Sequence, residues 1–254
     1  MHRVFADAVG GIEVGGLVRL EGDEAHHAVR VRRAGVGETI EVLDGRGTVA
    51  RGLVEAAERA RGGAALVVRL VEVSRVEPVR PEVEVCGATP KGSRLDDMID
   101  GLSQVGATAW RPLGTGRGVV EVGPGRLDKV ARRAAEASKQ CGRAWLLRVG
   151  APVELGMVRR EPGEELVLAD ASGEAYAARG GGGGAGLVRL LIGPEGGFSP
   201  EEIGAARRRG ARVCRFGPHA MRVEVAAVVA AAVVLATRQD GAEGRSPAGP
   251  PGPA

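Results

Sequence analysis

The residues best suited to chemistry lie late in the 254-residue sequence, in two glycine-rich stretches. Gly193-Pro194-Glu195-Gly196-Gly197-Phe198 follows the apolar run Leu187 to Ile192 and leads into Ser199-Pro200-Glu201-Glu202. Ser199 is a good N-cap, Pro200 suits the first helical position and Glu202 completes a capping box. A strand, a glycine loop and a helix start make a ligand cradle, because glycine lets the backbone approach a ligand and open α/β sheets bind ligands beyond the carboxyl ends of their strands. A nucleotide phosphate would want free amides and cations here. Glu195 and the two acids that follow oppose that and permit a cationic ligand. A single glycine loop is also what a plain strand-to-helix turn requires, and the second stretch is what tips the balance. Arg212-Val213-Cys214-Arg215-Phe216 reads as a short strand, followed by Gly217-Pro218-His219-Ala220-Met221-Arg222-Val223-Glu224-Val225 and an Ala/Val helix from Ala226 to Ala236. Small side chains on nearly every face of that helix allow close approach on more than one side, so it is either buried in one subunit or shared with a partner.

The elements that must position these loops change character along the chain. From His2 to about Val73 the pattern is short apolar alternation broken by glycines, as at Gly16–Leu20, Glu38–Leu43 and Ala65–Leu70, with a hairpin signal at Asp44-Gly45. It predicts a small all-β barrel or sandwich. Ser74 to Pro81 breaks the pattern and is the natural linker. Strands are then predicted at Glu82–Ala88, Thr108–Leu113, Glu165–Ala169 and Leu187–Ile192, with helices at Arg94–Val105 and Leu127–Gln140. Strands alternating with helices mean an α/β fold with a parallel, doubly wound sheet. Domains are expected at 1–75 and 80–238. The Gly180–Gly184 run reads as a surface loop, and residues 239–254, rich in Gly and Pro, as a disordered tail.

Composition excludes several classes of protein. Hydrophobic residues make up 44% and charged residues 26%, an ordinary globular balance. No run reaches the roughly 18 apolar residues of a spanning helix, and Met1-His2-Arg3-Val4 lacks the apolar core of a signal peptide, so a cytoplasmic location is expected. Cys86, Cys141 and Cys214 are far apart in stretches that read as buried, which points to free thiols rather than disulfides. His26, His27 and His219 have no Cys or acid at ligand spacing, so no metal is expected. Nearly all the cationic charge is arginine, suited to phosphate contact, although a net charge of +3 decides little alone.

The segments LIGPEGGFSPEEI and FGPHAMRVEVAA, in this order and spacing, resemble those of the RsmE family of 16S rRNA uridine-N3 methyltransferases, of the SPOUT class. The resemblance extends to Ala88–Arg94, to Glu136–Arg143 and to the N-terminal His26–Arg33 with Gly35 and Gly37, and so covers nearly the whole chain short of the tail. Arg32, Gln104 and Val225 depart from the family pattern.

The resemblance implies a PUA-like N-terminal domain on a trefoil-knotted, mostly parallel sheet, a homodimer, and S-adenosylmethionine as cofactor. The partner it implies is 16S rRNA within the small ribosomal subunit. The cofactor pocket would be lined by Leu168, Gly193, Glu195, Gly196, Gly197, Phe216, Gly217 and Met221, the last of which suits core packing equally well. Arg222 and Glu224 are the catalytic candidates, and an ion pair bridging the loop to a neighbouring helix would suit them as well. Arg222 would stabilise a uracil anion or hold a phosphate, and Glu224 or Glu195 would orient the cofactor or accept a proton. His27, Arg30, Arg33, Lys91, Arg94 and Arg143 are the RNA-contact candidates. The alternative is a non-catalytic ribosome-binding or assembly factor with the same fold. A Rossmann-type nucleotide enzyme is disfavoured, since Cys86-Gly87-Ala88-Thr89-Pro90 offers no Gly-x-Gly-x-x-Gly turn.

Overall fold

The computed structural model describes residues 2–31, 33–60, 63–118, 122–178 and 185–239. The Gly180–Gly184 run, Arg32 and residues 240–254 of the tail therefore lie outside the described residues.

Two sheets organise the chain. The first contains β1 (His2–Phe5), β2 (Leu17–Leu20), β3 (Thr39–Leu43), β4 (Thr48–Ala60) and β5 (Gly63–Arg75) in the order β1-β3-β4-β5-β2. All its pairings are antiparallel except β1 with β3. The alternation seen in the sequence serves this sheet, since Val18, Leu20, Ile40, Val42, Leu66, Val68 and Leu70 enter one apolar core. A short helix α1 (Gly22–His26) and a π-helical turn (His27–Val31) cross it and bury Ala25, Ala28 and Val29. This helical segment was not legible as an element, being barely two turns of mixed composition.

The second sheet is parallel at every pairing, in the order β12-β10-β11-β6-β7-β8, with β9 also on β7. Its strands are β6 (Glu82–Gly87), β7 (Ala109–Gly114), β8 (Arg148–Val149), β9 (Val153–Glu154), β10 (Glu164–Ala175), β11 (Leu187–Ile192) and β12 (Arg212–Arg215). The helices are α2 (Arg94–Val105), α3 (Pro124–Cys141), α4 (Pro200–Arg208) and α5 (Val223–Gln239). Sheets buried on both faces carry continuous apolar strands, and here the two faces belong to two clusters. Val83, Val85, Val188 and Leu190 pack with α2 and α5, whereas Cys86, Leu166, Leu168 and Leu191 pack with Phe198 and Ala206. Helix α5 buries Val223, Ala227, Ala230, Ala231, Val234 and Leu235, spaced at the helical period. Its opposite face holds Val225, which is 41% exposed, and the half-buried Val229 and Ala232.

The first sheet docks on the segment after α3 through the hairpin turn between β3 and β4. Gly47 N–H donates to the Ala144 carbonyl at 3.1 Å, and Leu146 N–H donates to the Gly45 carbonyl at 3.0 Å. The Trp145 indole N–H donates to the Val76 carbonyl at 2.8 Å. On the other side of the junction, Lys139 Nζ meets Glu24 at 2.8 Å and Arg3 donates to the Lys139 and Gln140 carbonyls.

The cysteines separate into two kinds. Cys86 and Cys214 are buried, and burial with Glu84 nearby pushes the Cys86 thiol up to about 12. Cys141 is exposed, contrary to the expectation that all three are buried, because it is the last residue of α3, one turn beyond the buried Ala137 and Ser138.

Candidate functional site

Three adjacent parallel strands, β12, β10 and β11, end on one side of the sheet, and their carboxyl ends frame a cleft of about 220 Å³. After β11 comes the first glycine loop, Ile192 to Phe198. After β12 comes the second, running to Met221. The third wall is a bulge in β10, where pairing with β12 breaks between Ala169 and Glu174 and pushes Ala169, Asp170 and Ala171 into the cleft. Asp170 stabilises the bulge by accepting from the Ser172 N–H at 2.9 Å and its hydroxyl at 2.6 Å. A Cβ on Gly173 would collide with the Val213 backbone, so glycine is needed there.

The first loop is built as its residues suggest. Ser199 accepts from the Glu202 N–H at 3.2 Å, and Glu202 returns a carboxylate oxygen to the Ser199 N–H at 2.8 Å, which completes the capping box. Gly197 N–H closes a turn on the Pro194 carbonyl at 2.8 Å. Gly197 takes φ +65°, a region where glycine is at ease, and a Cβ added there meets nothing within 4 Å. Gly197 itself lines the cleft.

Of the eight residues expected in the pocket, Gly193, Glu195, Gly197, Phe216, Gly217 and Met221 line this cleft. Leu168 does not: its side chain is fully buried in the core beneath, and the chain reaches the cleft one residue later at Ala169. Gly196 faces the other way, toward Arg117, whose Nη1 donates to its carbonyl at 2.6 Å. Among the further lining residues, Phe198, Asp170, Ala171 and His219 were missed. The Asp-x-Ser-Gly sequence within β10 was the available signal for the bulge. The Phe216 ring is held by stacking on Tyr176, with centroids 5.1 Å apart.

Arg222 and Glu224 form a pair at 3.3 Å at the start of α5, with side chains 69% and 10% exposed. Glu224 Oε2 is buried and has no partner among the described residues. Neither residue lines the cleft in this structure.

The RNA-contact candidates divide by location. His27 lines a groove of about 400 Å³ between the sheets, with His2, Arg3, Arg133 and Gln140. Arg30 and Arg33 are exposed nearby, Arg33 in the left-handed conformation at φ +59°. Lys91 is exposed in the turn before α2, and Arg94 pairs with Glu195 at 3.3 Å beside the cleft. Arg143 has another job: its Nη1 donates to the Ser103 carbonyl at 2.9 Å, and burial lowers its pKa. That half-buried guanidinium ties the segment after α3 to α2 at the edge of a cavity of about 760 Å³.

Among the described residues no three His, Cys, Asp or Glu side chains gather as a metal site, and no helix is long and apolar enough to cross a membrane.

A family model described as an RNA methyltransferase domain matches residues 77–235, and one described as an RNA methyltransferase PUA domain matches residues 20–60. The chain belongs to the RNA methyltransferase family. Within that family it is 35% identical over 245 residues to the ribosomal RNA small subunit methyltransferase E of Mycobacterium bovis, covering 90% of each chain. It is 31% identical to the protein of that name from Synechocystis, over 86% of this chain and 73% of the relative. Among solved structures, the putative methyltransferase from Legionella pneumophila in complex with bound SAM superposes with a TM-score of 0.78 at 25% identity, over 92% of this chain and 96% of that one. The Neisseria gonorrhoeae ribosomal RNA small subunit methyltransferase E bound to S-adenosyl methionine gives 0.81 at 20% identity, over 93% and 97%. The methyltransferase fold is thus an N-terminal PUA-like domain joined to an α/β domain of the SPOUT kind.

Proposed function

We propose that this chain transfers the methyl group of S-adenosylmethionine to N3 of a uridine in bacterial 16S rRNA, acting in the cytoplasm on the small ribosomal subunit. The observation that carries this reading is the cleft itself: three strand ends, two glycine loops and two carboxylates, Asp170 and Glu195, around a floor of Ile192, Phe198, Phe216 and Met221. An adenosine and a methionine chain fit the apolar floor, and the carboxylates suit a ligand that carries positive charge. A phosphate would fit poorly beside those acids. Gly197, with open space where a Cβ would stand, keeps the cradle clear.

When bound, the cofactor supplies an electrophilic methyl group on a sulfonium. The chain's own task is to bring a deprotonated uracil nitrogen into line with it, so positioning and charge stabilisation carry most of the catalysis. Glu195, one of the two carboxylates that line the cleft, or Glu224 takes the N3 proton, directly or through water. Arg222 reaches into solvent while Glu224 grips its Nε, an arrangement suited to presenting a guanidinium to a uracil anion or a phosphate. His27, Arg30, Arg33, Lys91 and Arg94 are the proposed phosphate contacts, with Arg143 withdrawn. We divide the chain into an RNA-holding domain at 1–75 and a catalytic domain at 80–238, in keeping with the two sheets and their separate cores. The trefoil knot and the homodimer belong to the same reading. The dimer is supported by the half-uncovered Ala/Val face of α5.

Calorimetric titration of the purified protein with S-adenosylmethionine tests this, alongside Gly197→Val and Gly217→Val. Micromolar binding by wild type, lost in both variants, supports the reading. Methyl transfer to small subunits is then assayed. Absence of binding by well-folded wild type, with or without RNA, sinks the enzyme reading and leaves the ribosome-binding factor.

A further inference from the structure

The first glycine loop contains a mechanical weakness that the fold repairs from outside. The peptide plane joining Gly196 to Gly197 has no Cβ on either side to resist rotation, and turning it would reverse the conformation that Gly197 holds at φ +65°. Both polar ends of this plane are engaged. Its N–H donates to the Pro194 carbonyl at 2.8 Å, within the loop. Its carbonyl accepts from Arg117 Nη1 at 2.6 Å, and Arg117 belongs to the turn after β7, on a different part of the chain.

That turn is itself held rigid. Gly118 N–H bonds to the Thr115 carbonyl at 3.0 Å, and Gly116 N–H donates to Glu202 Oε1 at 2.8 Å. Glu202 Oε2 meanwhile closes the capping box on Ser199. One carboxylate therefore fixes both the base from which Arg117 extends and the helix start that follows the glycine loop. A side chain extended from a fixed base loses less freedom in making its bond than one on a loose loop. On the neighbouring residue Arg94 reaches Glu195 at 3.3 Å from the start of α2, so arginines from two other segments grip successive residues of the loop.

We propose that Arg117 is a positioning residue for S-adenosylmethionine, locking the Gly196–Gly197 peptide in the orientation the cleft requires. The proposal rests on the reading of the cleft as the cofactor site. Arg117 does not line the cleft and acts through the Gly196 carbonyl, so its loss weakens cofactor binding and leaves the chemical step alone.

The full chain is compared as wild type, Arg117→Ala and Arg117→Lys by calorimetric titration with S-adenosylmethionine, by hydrogen–deuterium exchange of the unliganded protein and by thermal melting. Arg117→Ala is expected to raise Kd about tenfold, the order of effect of one hydrogen bond to a charged donor. Exchange across Gly196–Phe198 accelerates while the melting temperature and kcat at saturating cofactor stay near wild type. Lysine still donates to the carbonyl but lacks the planar fork, and recovers part of the affinity. An Arg117→Ala Kd within twofold of wild type overturns the proposal, even if exchange accelerates, since Arg117 would then be a fold contact only. Absence of binding by wild type defeats the cofactor reading and this proposal with it, an outcome recognised before any variant is made.

Discussion

Two glycine-containing turns, the β3–β4 hairpin at Asp44–Gly47 and the loop at Gly193–Gly197, look alike in sequence and do opposite work. In the hairpin the missing side chains are replaced by neighbours. A Cβ on Gly45 would stand 2.6 Å from Leu146, and one on Gly47 would stand 2.7 Å from the Trp145 ring. Both side chains come from the segment after α3, so these glycines let the two sheets touch. In the cleft loop Gly193 is also packed, a Cβ there standing 2.9 Å from the Phe198 ring, but a Cβ on Gly197 meets nothing within 4 Å, and one on Gly196 lies 3.5 Å from Arg117, an ordinary contact. Glycine at the hairpin serves packing, and at Gly197 it keeps space open. The comparison teaches that a glycine reports function only when what surrounds it is known.

The contrast breaks or holds on a series of substitutions. The largest effect is expected from Gly47→Ala, which is overpacked and also strained at φ +103°, and should cost about 3 kcal/mol in urea unfolding. Cofactor affinity per folded molecule stays near wild type. Gly217→Val should invert this pattern. Gly217 lines the cleft without a positive φ, and its nearest neighbour beyond a Cβ is the Met221 methyl at 3.7 Å, so affinity falls about tenfold or more, roughly 1.4 kcal/mol or greater, with little change in melting. A variant equally damaged in both measurements would erase the distinction. Glu202→Gln comes next. An amide has one acceptor oxygen where Glu202 uses two, so about 1 kcal/mol of stability is lost, with faster amide exchange at Gly116 or Ser199.

The smallest effect sharpens the hairpin side. Burial pushes the Asp44 carboxyl up, but bonds from the Thr48 hydroxyl and the Arg46 and Thr48 N–H groups outweigh it and hold the pKa below its ordinary value of about 3.9. A depressed folded pKa gives stability that is fully present above the unfolded value and is lost as pH falls through the folded one. Asp44→Asn should therefore be less stable than wild type at neutral pH and converge with it below about pH 4, in melting curves followed across the acid range.

How much of this was legible varies with the physics of each signal. Strand periodicity located β6 and β11 to within a residue, and the capping residues placed α4 from Ser199 onward, because these signals are local. The cleft's third wall was not legible. The Glu165–Ala169 strand was read as ending where β10 bulges and continues to Ala175, since a bulge depends on the partner strand. Leu168, expected in the pocket, stands one residue before the end of that predicted strand, and the true lining begins at its last residue, Ala169. Arg143 has the composition of an RNA contact, and only tertiary structure shows it spent on the Ser103 carbonyl. Arg117 carries no motif. The available hint was a cation in a glycine-rich turn after β7, at the same carboxyl edge of the parallel sheet as the cleft.

The order of the strands also bears on how the molecule is made. In the first sheet β4 and β5 are consecutive and pair along most of their length, so the sheet completes once the chain has reached Arg75. In the second, Glu82 lies beside Leu187, and β10 waits for β12 before its outer edge is covered. Pairing between distant segments is slow, because closing a long loop costs entropy before any contact repays it. During synthesis the first sheet therefore stands folded while the cleft is still unformed, and the hairpin glycines wait for Trp145 and Leu146 to arrive from the later part of the chain.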